Sequence, residues 1–475
     1  MQTEQKSYAS GMFTLVLVFF FWGFVAAGNN ILIPVFKEKF HLQHWESQLV
    51  SFFYYLAYSV GALIYFFISK ITGGDFLNKM GYRNGIALGL FISALGAATF
   101  YPAAQHSSFV LMLVGLFIIG VGFSLQQTAA NPLAMMMGHA STGSQRLTLA
   151  GGINNLGTTF GPILISLALF GSVNHMGGFN PASIDAIKTP YILLAAVFIV
   201  VAFMFFISDL PNKFENKDDN EQTTVQTDRT KTSALSFPQV ILGMIAIFLY
   251  VGVEVSTVSN LPEYMHRELK IDTGTIAPYI SLFWAGLMIG RWTGAIGAFD
   301  MNKGMKGVLR FAIPYIAFYI FLLINKFVNY DITPFFIYAA IVFVLIIADL
   351  LSYGKPARQL LIFSCLGIIA LLVGIYTSGL VSVFAFISVG LFCSTLWPCI
   401  FTLGIAGLGK FTNQGSSFLI MMILGGGVIS LFQGYLADYY LGIKYSYFVG
   451  VACFLYLAFY SLRVSGILRK QGISI

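Results

Sequence analysis

One carboxylate stands deep inside an apolar run. Glu254 lies in Leu249-Tyr-Val-Gly-Val-Glu-Val-Ser-Thr257, in the middle of a stretch whose pattern predicts a helix. An acidic residue at the centre of a membrane helix costs about 2.5–3.5 kcal/mol to insert, so it persists where it faces a cavity or a partner. Tyr250 and Thr257 are at helical spacing from it and share its face. Two roles fit these residues: a cation site, in which a proton or sodium ion neutralises the carboxylate, or a structural partner for a buried donor such as Arg291. Arg291, in Gly290-Arg291-Trp292, falls near the end of its own run, where a long side chain can snorkel to the interface. A gate or anchoring role is expected for it, and for Arg146.

Amides form a second group. Asn29 and Asn30 lie in the first apolar run, with Trp22 on the same face as Asn30. Gln126, Gln127 and Asn131 lie in the fourth, with Gln127 and Asn131 four apart. Asn154 and Asn155 lie in the fifth. Amides offer donors and acceptors to hydroxyl groups without net charge, and the rings of Trp22, Trp284 and Trp397 can pack on the apolar face of a sugar. A neutral polyol suits such a set; hydrogen bonding between helices is the alternative use of the same residues. The six histidines show no triad or metal-ligand spacing, and Cys365, Cys393, Cys399 and Cys453 all fall in apolar runs with no paired spacing. No enzyme activity, metal or cofactor is expected, apart from a coupling ion.

The elements that position these residues follow from composition. The chain has 475 residues, 57% hydrophobic and 9% charged, too few charges to cover a water-soluble surface. Its apolar runs have the length that crosses a bilayer as a helix and lack the alternation of a membrane barrel. Helices are predicted near 12–34, 48–70, 85–104, 108–132, 147–171 and 190–208, then near 238–260, 276–298, 305–325, 333–350, 359–377, 379–403, 416–437 and 446–464. The polar stretch between the two sets, residues 210–236, reads as a linker between an N-terminal half (1–209) and a C-terminal half (237–475). Starting with the N-terminus inside, most of the 26 Lys and Arg fall on the cytoplasmic side. This includes Lys303, Lys306, Arg310, Lys355 and Arg358, and it places both ends and the linker in the cytoplasm. Parity does not separate fourteen spans from twelve; fourteen is favoured. The halves also echo each other: Asn131-Pro132, a Gly-Ser loop and Gly151-Gly152 in one, Trp397-Pro398, Gly415-Ser416 and Gly425-Gly426-Gly427 in the other. Parallel repeats of this kind build a midplane site between two halves.

Several stretches resemble the fucose–galactose–glucose:proton symporter family of the major facilitator superfamily. They include Phe21-Trp-Gly-Phe24, Asn29-Asn30-Ile-Leu-Ile-Pro34, Gly81-Tyr-Arg-Asn-Gly85, Thr128-Ala-Ala-Asn-Pro132 and Arg146-Leu-Thr-Leu-Ala150. In the second half they are Tyr250-Val-Gly-Val-Glu254, Gly290-Arg291, Trp397-Pro398 and Gly415-Ser-Ser-Phe-Leu-Ile420. The resemblance implies an all-α major facilitator fold of two six-helix halves related by a pseudo-two-fold axis. It also implies a monosaccharide of the glucose, galactose or fucose class, moved by alternating access, and a monomer in a bacterial inner membrane with the lipid bilayer and no nucleic acid as its surroundings. The family's proton-coupled fucose carriers have an aspartate and a glutamate where this chain has Asn30 and Gln127, while Asn154 and Trp397 match an amide and an aromatic of the family. Glu254, which other members resembling this chain keep, is then the residue expected to hold the cation. Sodium, a proton or no coupling at all remain open, as does a sensor without transport. A further departure is the region 299–378, where two extra helices are inserted beside one core helix and are expected to pack peripherally.

Overall fold

The computed structural model describes the chain except residues 1–10, 13, 28–35, 37–38, 43–45, 47, 72–75, 138–142, 171–186, 209, 211–232, 272–275, 297–300, 328 and 474–475. Most of the linker and Asn30 therefore lie outside the described residues.

Uninterrupted apolar sequence bounded by caps and glycines gives long helices. In the first half these are α1 (Thr14–Ala27), α2 (Leu49–Ile71), α3 (Tyr82–Gln105), α4 (Phe109–Met136), α5 (Gly143–Phe170) and α6 (Lys188–Ile207). The second half contains α7 (Pro238–Leu269), α8 (Ala277–Ala295), α9 (Lys303–Phe327), α10 (Thr333–Ser352), α11 (Pro356–Tyr376), α12 (Gly379–Ile405), α13 (Gln414–Tyr445) and α14 (Phe448–Lys470). Among the described residues, eleven of them are long and apolar enough to cross a membrane; α1, α5 and α8 are not in that set. Their starts carry the expected signals: the Ser108 side chain accepts the Leu111 N–H at 3.3 Å, and proline opens α7 and α11. At α10, Asp331 accepts the Thr333 backbone N–H at 2.9 Å, and the hydrogen bonds from Thr333 hold this carboxyl below the usual carboxylate range.

Helix packing is organised twice in the same way. In the first half α4 packs on α2, α3 and α5, and α3 also packs on α6; in the second, α12 packs on α8, α11 and α13, and α11 also packs on α14. Glycines bring one pair in each half to backbone contact. A Cβ on Gly157 would lie 2.1 Å from the Phe20 carbonyl oxygen, and one on Gly425 would lie 1.8 Å from that of Phe248. Thus α5 sits against α1 as α13 sits against α7, with small residues letting the backbones meet. The halves then join reciprocally, α5 against α8 and α13 against α2.

This correspondence extends to the region 299–378. There α11 packs as α3 does, and α9 and α10 are the pair without a counterpart in the first half. The pair packs on α8, α11 and α12 and, among the described residues, reaches no helix of the first half beyond incidental contact. Its outer surface, with Val308, Phe311, Ile316, Tyr319, Leu323 and Phe327 exposed, is apolar enough to face lipid.

Candidate functional site

Three helices each bury a long stretch but leave one residue accessible. Gln127 is the accessible position between Gly122 and Ala134 on α4. Glu254 holds that place between Val251 and Val258 on α7, and Trp397 between Ser382 and Ile400 on α12. Each of the three is part-buried, and the groups it meets belong to the interior of the bundle.

Contacts tie the three together across the two halves. Gln127 donates from Nε2 to the Tyr58 hydroxyl at 3.2 Å, and the Tyr58 and Tyr54 hydroxyls are 3.3 Å apart. The Tyr58 ring stacks with Tyr55 at 6.3 Å between centroids. Tyr55 lies against Gly426 of α13, in the same niche as Val251 and Val255, the residues that bracket Glu254. On the far side, the Tyr250 hydroxyl donates to Glu254 Oε2, and the Tyr250 ring lies 6.3 Å from Trp397, itself stacked on Phe401 at 6.0 Å. The result is a lining of amide, phenol, indole and one carboxylate drawn from α2, α4, α7 and α12.

Beside it the halves are held by Arg291. A proline has no N–H, so Pro398 frees the carbonyl of Ser394 four residues earlier. Arg291 Nε takes that carbonyl at 2.9 Å. Its Nη1 donates across the interface to Gly151 O at 3.1 Å and Asn155 Oδ1 at 2.9 Å, both on α5, and its Nη2 reaches the Tyr250 hydroxyl at 3.4 Å. The close passage of α12 requires Gly290, where a Cβ would fall 1.9 Å from Ser394 Oγ. The expectation that Arg291 snorkels is therefore corrected: the side chain is 9% exposed and turned inward, because four acceptors wait for its planar fork there.

Other residues singled out in the sequence take varied places. Asn154 is part-exposed and donates to Phe19 O at 2.9 Å, fastening α5 to α1. Trp22 is buried and donates from Nε1 to Gln126 Oε1 at 2.8 Å, while Gln126 donates on to Ser93 Oγ at 3.1 Å. This is a structural network within the first half. Asn131 and Trp284 are buried, at 2% and 6% exposure. Arg146 donates from Nε to Ala134 O at 3.1 Å and from Nη2 to Met135 O, so it closes the end of α4 within its own half. Sequence reading missed Tyr54, Tyr55 and Tyr58. Their spacing in Tyr54-Tyr55-Leu-Ala-Tyr58 puts Tyr54 and Tyr58 one turn apart, a signal that was present but looks like ordinary apolar core.

Two helical halves meeting along a polar interior are the architecture of an alternating-access membrane carrier. The Major Facilitator Superfamily profile matches residues 12–348. The chain is 32% identical over 466 residues to a glucose/galactose transporter of Brucella abortus, covering 97% of this chain and 95% of that one. It is 26% identical to the L-fucose-proton symporter of Escherichia coli, covering 95% and 92%. The chain belongs to the major facilitator superfamily, and within it to the fucose–galactose–glucose:proton symporter family that its motifs resemble. The fold is shared with FucP in its outward conformation, at a TM-score of 0.66, 24% identity and coverage of 96% and 99%. It is also shared with the human organic anion transporter MFSD10, at a TM-score of 0.60 and 14% identity over 96% and 99%.

Proposed function

We propose that the protein is a secondary transporter that moves a neutral monosaccharide of the glucose, galactose or fucose class together with a proton or sodium ion. The observation that carries this reading is the convergence of Gln127, Glu254 and Trp397, each the accessible residue of a buried segment, on one interior lining. Gln127 and Tyr58 supply neutral hydrogen-bonding groups for hydroxyls, Tyr55 and Trp397 supply ring faces, and Glu254 supplies the charge a cation neutralises. The relatives named for glucose/galactose and L-fucose transport support the substrate class. Because Gln127 replaces an acid of the family's proton-coupled fucose carriers and cannot titrate, cation loading falls to Glu254.

In this reading all fourteen helices span the membrane: twelve form the two halves and α9–α10 add a peripheral pair. An even count agrees with the basic residues at the ends of α9 and α11 and in the tail, and puts both termini in the cytoplasm of a bacterial inner-membrane monomer.

The test is counterflow and uptake of labelled glucose, galactose and fucose in proteoliposomes of purified protein, with sodium and proton gradients imposed separately. Saturable uptake of one of these sugars, driven by one of the two gradients, is the expected result. Counterflow with no response to either gradient makes the protein a facilitator; absence of both with all three sugars removes the substrate assignment.

A further inference from the structure

We infer that Arg291 is a positioning residue that reports the occupancy of Glu254 to the contact between the halves, releasing α5 from α8 when the cation binds. This rests on the reading of Glu254 as the cation site.

The geometry is a three-member relay. Tyr250 donates its hydroxyl to the Glu254 carboxylate and accepts from Arg291 Nη2 at 3.4 Å. Arg291 in turn holds α5 through Gly151 O at 3.1 Å and Asn155 Oδ1 at 2.9 Å, with its Nε fixed on Ser394 O at 2.9 Å. Thus one guanidinium touches the cation site through a single phenol and the opposite half directly. The ionisable groups facing Glu254 are Tyr250 from its own helix, Tyr55 from α2, Cys393 from α12 and Arg291 from α8, and Arg291 is the cation among them. Among the described residues, no direct ion pair closes the site.

Charge then sets the position of the fork. While Glu254 is an anion, it orients the Tyr250 hydroxyl toward itself, leaving the phenol lone pairs for Nη2, and the field of the carboxylate holds the guanidinium on that side. With Nε anchored on Ser394 O, a planar guanidinium aligned with Tyr250 has its Nη1 aimed at α5. A proton or sodium ion on Glu254 removes the negative charge, frees the phenol to rotate and removes the reason for the fork to stay in register. The hold on Asn155 and Gly151 weakens. The affected contact lies in the N-terminal half of α5 and the C-terminal half of α8, which the proposed topology puts toward the cytoplasm. Loading therefore favours opening on the side where a symporter delivers its cargo, and the unloaded carrier is biased to stay closed there. A carboxylate placed for cation binding alone needs no such link; the link makes binding and movement one event.

The experiment follows the α5–α8 contact directly. The Cβ position of Gly294 lies 3.4 Å from Thr148 Cγ2, so the pair Thr148→Cys and Gly294→Cys reports proximity of the two helices by its rate of oxidative cross-linking. The rate is read by peptide mass spectrometry in proteoliposomes without sugar. Sodium is compared with choline at fixed pH, and acid with alkaline buffer without sodium. Each rate is divided by that of the pair Gly85→Cys and Ala129→Cys in the same buffer, whose Cβ positions lie 3.6 Å apart within the first half, which cancels the pH dependence of thiol oxidation. The driving cation is expected to slow cross-linking at least about fivefold. Glu254→Gln is expected to fix the slow rate, and Tyr250→Phe and Arg291→Lys to remove the cation response. A full cation response in Tyr250→Phe, or in Arg291→Lys should the first variant fail to fold, overturns the relay and leaves Glu254 as the cation site. Cation-driven accumulation that survives Glu254→Gln instead removes the cation-site reading itself.

Discussion

Arg310 and Arg291 each lie near an acid on another helix, and they are arranged for different ends. Arg310 of α9 and Asp349 of α10 meet directly, Nε to Oδ2, at 3.8 Å. The arginine side chain is 33% exposed, and Gln359 of α11 donates to the other carboxylate oxygen at 3.3 Å. That pair fastens the added helices to each other and to α11. Arg291 and Glu254 do not meet; Tyr250 stands between them, and the remaining donors of Arg291 go to backbone and amide acceptors on two other helices. A direct pair at the periphery is satisfied and static. A pair split by a hydroxyl and shared with the opposite half can change its balance when a cation arrives.

Ways to break that comparison run from large effects to small. Gly290→Val should do most harm, since its Cβ would collide with Ser394 beside the arginine. Overpacking of this kind costs about 1–3 kcal/mol, and the expected outcome is a lowered melting temperature in detergent together with loss of uptake. Arg291→Ala comes next: it strips the donors from Ser394 O and Asn155 Oδ1, at about 1–3 kcal/mol for groups left buried and unpaired. Net sugar uptake is expected to fall by about tenfold or more. Gln127→Ala should act on sugar and not on the clasp, raising KM about tenfold, which corresponds to ~1.4 kcal/mol, with kcat nearly kept. Asp349→Asn should do least. A partly exposed pair is worth about 0–1 kcal/mol, so transport within about twofold of wild type is expected; a loss as large as that of Arg291→Ala would mean the added helices take part in the transport cycle.

The sequence announced its helices well because a bilayer demands long apolar runs whatever the tertiary partners are. The predicted run 190–208 became Lys188–Ile207, and 359–377 became Pro356–Tyr376. Which helices of the region 299–378 belong to the core could not be read, since α9, α10 and α11 are all apolar enough to cross a membrane and only packing separates them. The same limit applied within the site. Glu254 stood out because charge in an apolar run is costly, but Trp22 and Gln126 looked like substrate groups until their mutual hydrogen bond was seen. Arg291 near a helix end looked free to snorkel, because the carbonyl released by Pro398 is invisible without knowing that α8 and α12 touch. Tyr55 and Tyr58 were hidden by chemistry: tyrosine is as much a core residue as a polar one.

The role of Glu254 is the claim on which the rest depends, and it is tested most directly by measuring sugar accumulation and counterflow side by side in Glu254→Gln and wild-type proteoliposomes under an imposed cation gradient. The expected result is that the wild type concentrates sugar against its gradient, while the variant keeps counterflow and equilibrates without accumulating. Accumulation by the variant equal to that of the wild type would contradict it, and would leave Glu254 as a structural partner of Tyr250 alone.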